Sequence, residues 1–230
     1  MTMHITQNKL VRLAARGLAN AGLVNAYGHC SLRLDEDHLL VCAPKPMGMI
    51  QPSDQGTVVN LRAPLPEHVL GEVRMHQAIY QSRPDVNGIC RVFPPNVLAL
   101  AAMERTPHAR HGFGSYFYPQ VPFYRDTALI RNEIAANNVA QTLGDSPAVV
   151  VSINGAVTVA DSLQKACVLA WFLEDAARVE LSCLNAAMDH IETFKNRDSA
   201  MNRATWAGGI MDRMWQYMTR DDPEQDPRKT

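Results

Sequence analysis

The sequence has no run of about 18 consecutive apolar residues, so it predicts no helix that crosses a membrane. It has no basic stripe, and its formal net charge is −1, which argues against nucleic acid or an anionic membrane surface as a partner. Its cysteines (Cys30, Cys42, Cys90, Cys167 and Cys183) are odd in number and form no CxxC pair. They read as reduced thiols in a cytoplasmic protein, not as a disulfide framework. There is no GxGxxG, Walker loop, GxSxG elbow or Cys/His zinc pattern, so dinucleotide, nucleotide-triphosphate and serine-hydrolase chemistry have no local support. The opening MTMHITQNKL lacks a basic region followed by an apolar stretch, so no signal peptide is expected. Internal repeats and low-complexity stretches are also missing.

What remains is an ordinary globular composition over 230 residues, enough to bury a core without staples. One domain over 1–220 is the expectation, followed by a disordered tail over 221–230, where DDPEQDPRKT is charged and contains proline. Residues 6–21 predict a helix capped by Thr6 and ended by Gly22. AYGHCSLRL, HLLVCAP and TVVNL predict strands, with the proline-rich PKPMGMIQPSD as a loop. A helix over 71–82 stops at Arg83-Pro84, and VNGICRV reads as a short buried strand followed by a helix from Pro95. Residues 104–127 form a long His-, Gly-, Tyr- and Pro-rich segment before a helix over 128–143. AVVVSI and AVTVA are strands joined at Asn154-Gly155, a tight-turn dipeptide. A long helix over 163–187, capped by Asp161, and a last helix over 203–219 complete an α/β arrangement of strands with helices on both sides.

Several residues stand out chemically. Glu72 lies four residues before His76, so both fall on one helix face, where a carboxylate and an imidazole suit proton transfer. The local sequence by itself favours the plainer reading, a carboxylate placed by the helix dipole and a histidine satisfied in the core. His29 sits after a glycine in a turn, with Ser31 and Arg33 alternating to one face of the strand that follows. Arg91 interrupts an apolar strand and needs a partner, either an acidic side chain or an anionic ligand. His108 and His111 form an HxxH without a clear third ligand, and Tyr116 and Tyr118 could stack on a flat substrate or a neighbouring subunit.

Taken in order, LAARGLANAGLVNAYGHCSLRL, HLLVCAP, GEVRMHQAIYQSRPDVNGI, the Pro-Pro helix start and INGAVTVADSLQKACVLAWFLEDAA resemble the class II aldolase/adducin family. The Gly-His-x-Ser-x-Arg turn is similar to the branch that contains aromatic-acid decarboxylases, whereas sugar-phosphate aldolases usually carry Asn where His29 stands. The resemblance implies a three-layer domain with a central, mostly antiparallel sheet flanked by helices. It also implies a homotetramer with sites at subunit boundaries, a divalent metal on three histidines, and a residue at Glu72 that works as acid/base or assists the metal.

The sequence departs from that pattern. Where the family has His-x-His-Pro, it reads Arg91-Val92-Phe93-Pro94, and where a third His precedes Gly it reads Asn154-Gly155. No metal is therefore expected at the family site; the alternative is a divalent metal held by His29, His76, His108 and His111. The hydroxyls that hold phosphate in sugar-phosphate aldolases are replaced by Leu70-Gly71 and Ala43-Pro44, so a phosphorylated substrate is not expected.

The expectation is a metal-independent carbon–carbon lyase acting by decarboxylation or retro-aldol cleavage on a non-phosphorylated carboxylated or aromatic small molecule. Glu72, His29 and His76 would be the catalytic set. Arg91, Asn154, Phe93, Ser31, Arg33, Tyr116 and Tyr118 would contact substrate. The alternatives are a hydratase, isomerase or cyclase on the same scaffold, or an inactive adducin-like binding protein.

Overall fold

Alternation along two neighbouring strands positions the site. In the computed structural model, which describes residues 2–188, 190 and 192–225, seven strands form one sheet in the order β3-β2-β1-β4-β7-β6-β5. They are β1 (His29–Arg33), β2 (His38–Val41), β3 (Thr57–Asn60), β4 (Gly88–Val92), β5 (Phe123–Tyr124), β6 (Ala148–Val151) and β7 (Ala156–Ala160). All pairings are antiparallel except β5 with β6. This is the expected mostly antiparallel sheet flanked by helices; β5 is the strand that the sequence does not announce, a two-residue edge inside the 104–127 segment.

β1 and β4 pair with His29 opposite Arg91, Cys30 opposite Cys90 and Ser31 opposite Ile89. Directly paired residues point to the same face. One face therefore carries His29, Ser31 and Arg91, and the other carries Cys30 and Cys90. On the cysteine face lie α1 (Thr2–Asn20) and α5 (Leu163–Asn185): the Cys30 thiol donates to the Val11 carbonyl, and Cys90 Sγ meets Cys167 Sγ at 3.5 Å. On the other face lies α2 (Arg74–Ser82), which packs in turn against α4 (Glu133–Leu143). Buried Val, Leu, Ile and Ala side chains fill both layers, and all four residues of β6 are buried.

Several boundaries move for physical reasons. Thr6 does not cap α1, because nothing between Thr2 and Thr6 breaks a helix and it begins at Thr2. Residues 71–82 split into a 3-10 turn at Gly71–Val73 and then α2. Ser162, not Asp161, caps α5, its hydroxyl accepting from Lys165 N. α4 starts at Glu133, where the Asn132 side chain accepts from Ala135 N. The expected last helix over 203–219 starts only at Ile210, as α7 (Ile210–Thr219), after a turn at Ala207–Gly209; Arg203 instead ends a separate, unexpected short helix, α6 (Arg197–Arg203). α3 (Pro95–Ala102) starts where proline placed it.

The expected disordered tail needs correction for residues 221–225; residues 226–230 lie outside the described ones. Asp222 accepts from Arg16 Nε at 2.6 Å and Nη2 at 2.8 Å. Glu224 accepts from Arg12 Nε at 2.9 Å and Nη2 at 2.7 Å, and from Arg16 Nη2 at 2.7 Å. Both carboxylates are buried, so these are desolvated, multiply bonded pairs and not surface contacts. The charges that suggested disorder are the ones that fasten the segment to α1. Burial raises the Glu224 carboxyl, but the two guanidiniums outweigh it and hold the group below its ordinary value of 4.5. The folded value being lower than the unfolded one, this stabilisation is complete above pH 4.5 and is lost as pH falls through the folded value. Arg16→Ala is expected to cost about 3 kcal/mol at neutral pH, since it strands buried carboxylates. Thermal melts of both forms from neutral pH downward should converge in acid; a constant gap would sink this account.

Candidate active site

A cleft of about 470 Å³ opens at the ends of β1 and β4, within the range of small-molecule sites. The sequence brings several separate segments to it. His29 comes from β1 and Arg91 from β4, Phe93 follows β4, Glu72 comes from the 3-10 turn before α2, and Asn154 from the turn between β6 and β7. Two glycines hold this geometry. A Cβ on Gly28, at φ 125°, would meet Val24 Cγ1 at 2.8 Å; one on Gly155, at φ 83°, would meet the Val92 carbonyl oxygen at 2.1 Å. The chain can therefore pass into His29 and out of Asn154 only with glycine there.

Among the described residues, Arg91 has no acidic partner within ion-pair range. Its side chain is buried, its Cζ lies 4.0 Å from the centroid of the Phe93 ring, and its Nε and Nη1 have no hydrogen-bond partner. Burial lowers its pKa to about 10, with the Glu72 charge acting in the opposite direction, so it remains a cation at neutral pH. Asn154 Nδ2 is likewise buried without a partner. Two groups on the cleft floor thus offer buried N–H donors that no described residue satisfies, at several kcal/mol for the charged one.

His29 lines the cleft with His76 behind it, fully buried. His29 Nδ1 lies 2.9 Å from His76 Nε2, and His76 Nδ1 lies 2.6 Å from Ser31 Oγ. Burial, then the nearby His76 and Arg91, hold His29 well below the ordinary imidazole value. Burial, then Arg91, lowers His76 to about 3, so both rings are neutral at physiological pH. His76 therefore partners His29, not Glu72 as helical spacing suggested. Glu72 accepts from Arg131 Nε at 2.9 Å.

Four expected contacts are corrected. Arg33 turns away from the cleft and donates to the Val86, Tyr80 and Arg83 carbonyls, satisfying the end of α2 and the turn after it. Tyr116 is buried against Phe172 and Trp206, with its hydroxyl donating to the Thr205 carbonyl. Tyr118 sits edge-on to Phe194. Ser31 touches His76, not the cleft. His108 and His111 face Glu180 and Asp175 on α5, apart from His29 and His76. The cleft residues that sequence reasoning missed are Tyr27, Lys45, Leu129 and Arg131. Lys45 carried a faint signal between its two prolines, and Arg131 carried none.

Residues 9–181 match the Class II Aldolase and Adducin N-terminal domain family. The chain belongs to that family. It is 28% identical over 204 residues to a 3,4-dihydroxyphthalate decarboxylase of Arthrobacter keyseri, covering 80% of this chain and 81% of that one. It is 29% identical over 193 residues to the enzyme of that name from Rhodococcus jostii, covering 75% and 76%. In fold it matches an L-fuculose 1-phosphate aldolase from Glaciozyma antarctica with a TM-score of 0.76 at 18% identity, over 95% of this chain and 90% of that one. Decarboxylases and aldolases both break carbon–carbon bonds, which supports the expected carbon–carbon lyase at the level of reaction class.

The family resemblance implied a divalent metal on three histidines, and the donor set at those positions does not fit one. The Arg91 guanidinium has no lone pair to give and its charge opposes a cation. Phe93 has no donor atom, and an amide is a poor ligand for zinc. His29 Nδ1 and His76 Nε2 are spent on each other. Among the described residues, no group of three His, Cys, Asp or Glu side chains is placed to hold a metal ion.

Proposed function

We propose that this chain is a decarboxylase of hydroxylated aromatic carboxylic acids that works without a resident divalent metal. The observation that carries the reading is the set of unpartnered buried donors on Arg91 and Asn154, on the cleft floor where the family's metal would sit. A substrate carboxylate, or the enolate oxygen formed from it, supplies the missing acceptors. Fixed donors aimed at developing charge are worth several kcal/mol of barrier, comparable to a Lewis acid's contribution. A proton delivered through Glu72 to the ring carbon that bears the carboxylate makes that carbon tetrahedral; breaking its bond to the carboxylate then releases CO2 and returns the electron pair to the ring, restoring its aromaticity. The decarboxylase relatives act on substrates of this class, and the absence of hydroxyls at Leu70-Gly71 and Ala43-Pro44 argues against phosphate.

An inactive scaffold gains nothing from a buried, unpaired guanidinium, which costs it stability. The reading includes a cytoplasmic homotetramer with clefts at subunit boundaries; Tyr27 and Leu129, exposed at the cleft, support such a boundary, and sedimentation of the purified protein reads the oligomer. The activity test is CO2 release from hydroxybenzoates and hydroxyphthalates, with and without chelator, alongside metal analysis. Turnover indifferent to chelator is expected. A stoichiometric zinc or iron lost together with activity would overturn the metal-free part, and no CO2 from any such acid would overturn the decarboxylase.

A further inference from the structure

We infer that Ser31, His76 and Tyr80 are positioning residues that fix His29 as its Nδ1–H tautomer, so that Nε2 meets the cleft as a hydrogen-bond acceptor. The inference rests on the cleft being the reactive site. It starts from a buried chain of four side chains that runs from the cleft into the core. His29 Nδ1 to His76 Nε2 is 2.9 Å, His76 Nδ1 to Ser31 Oγ 2.6 Å, and Ser31 Oγ to the Tyr80 hydroxyl 3.0 Å. The Tyr80 hydroxyl also lies 3.1 Å from the Ser31 carbonyl oxygen, to which it can donate. None of the four residues is more than 4% exposed.

With both rings neutral, each carries one N–H, and the chain has two consistent proton arrangements. In the first, His29 Nδ1–H donates to His76, His76 Nδ1–H to the Ser31 hydroxyl, Ser31 to Tyr80, and Tyr80 to the Ser31 carbonyl. All four contacts are hydrogen bonds, and His29 Nε2 keeps its lone pair. In the second, every donor is reversed: Tyr80 donates to the Ser31 hydroxyl, Ser31 to His76 Nδ1, and His76 Nε2–H to His29, which then presents Nε2–H. The reversed chain gives up the bond to the Ser31 carbonyl, because Tyr80 has only one proton. One additional buried hydrogen bond favours the first arrangement by about two- to tenfold. The far end of the chain thereby sets which atom His29 offers to the cleft.

This narrows the substrate class. His29 and Arg91 are directly paired across β1 and β4, so their side chains start about 5 Å apart on one face. An acceptor beside a set of donors matches a molecule whose hydroxyl lies next to its carboxylate: the acid faces Arg91 and the hydroxyl donates to His29 Nε2. A substrate lacking that hydroxyl leaves the His29 lone pair unmet and should bind at least tenfold more weakly.

Nitrogen NMR of the full-length protein labelled with 15N-histidine tests this without turnover, the His29 signals being assigned by their loss in His29→Gln. Wild type is expected to show His29 protonated at Nδ1 and bare at Nε2. In Tyr80→Phe the Ser31 hydroxyl loses its acceptor and turns to His76 Nδ1, so His29 should switch to Nε2–H. A wild-type Nε2–H, or a Tyr80→Phe spectrum unchanged at His29, would overturn the inference. If Tyr80→Phe does not fold, the wild-type spectrum and Ser31→Ala, expected to show both tautomers, decide it. A correct tautomer in a protein that releases no CO2 would count against the decarboxylase and leave this assignment standing.

Discussion

Arg91→Met should unfold at a higher temperature than the wild type while losing most of its turnover. The guanidinium is buried over the Phe93 ring, with two nitrogens unsatisfied and no carboxylate within ion-pair range. Removing a buried charge of this kind in favour of an apolar chain of similar length commonly stabilises by about 1–4 kcal/mol. Methionine also keeps a favourable sulfur contact with the ring. In a chain of this size about 2 kcal/mol corresponds to roughly 4–8 °C in Tm. Removing the donors that meet developing negative charge should lower kcat by about 10²–10³. Arg91→Lys keeps the charge but not the planar fork, so it should fall between the two. Stability and activity measured on the same preparations separate the cases. A destabilised Arg91→Met with near-normal turnover would show that the residue is structural and that its unsatisfied donors serve no ligand.

Glu72→Gln is expected to lower kcat by about 10²–10⁴, the range for removing a proton-transfer group, with Tm almost unchanged. The small stability change follows from the partner: Arg131 is largely exposed, and an exposed ion pair contributes about 0–1 kcal/mol. Glutamine preserves the shape of the 3-10 turn and can still meet Arg131, so lost activity reports the proton and not the fold. Arg131→Ala is the control, expected to leave the stability within about 1 kcal/mol of wild type and to release Glu72. Unchanged turnover in Glu72→Gln would eliminate Glu72 as the proton carrier and leave His29, Lys45 and Tyr27 as the titratable candidates at the cleft.

What could be read from the sequence was what is local. Asn154-Gly155 announced a reversal because only a few dipeptides accept that backbone, and the turn lies where expected. Arg91 stood out because a charge in an otherwise apolar strand violates the pattern around it. Glu72 and Arg91 meet the same cleft, as the family resemblance led us to expect. What failed depended on distance along the chain. Arg33 looks like a cleft residue by alternation, but the end of α2 lies against it and offers three carbonyls. Tyr116 is drawn inward by Phe172 and Trp206, 56 and 90 residues away. Asp222 and Glu224 looked like solvated charges because their partners, Arg12 and Arg16, lie at the other end of the sequence. Tyr80 is the instructive near miss: it lies one helical turn after His76, and that spacing is visible, but only the packing of α2 against β1 shows that Ser31 joins them.

The division of labour between the two faces of β1 and β4 has a consequence for how such a protein can change. Cys30 and Cys90 face α1 and α5, and any alteration there must be absorbed by a close-packed interior. Arg91 points the other way, into a cleft, and Phe93 and Asn154 lie beyond the strand ends. The three positions where the family resemblance implies histidines, and which here carry a cation, a ring and an amide, can therefore vary without reaching the packed layer on the opposite side of the sheet. The scaffold behaves as a printed board with a socket: the wiring underneath stays fixed while the component on top is exchanged.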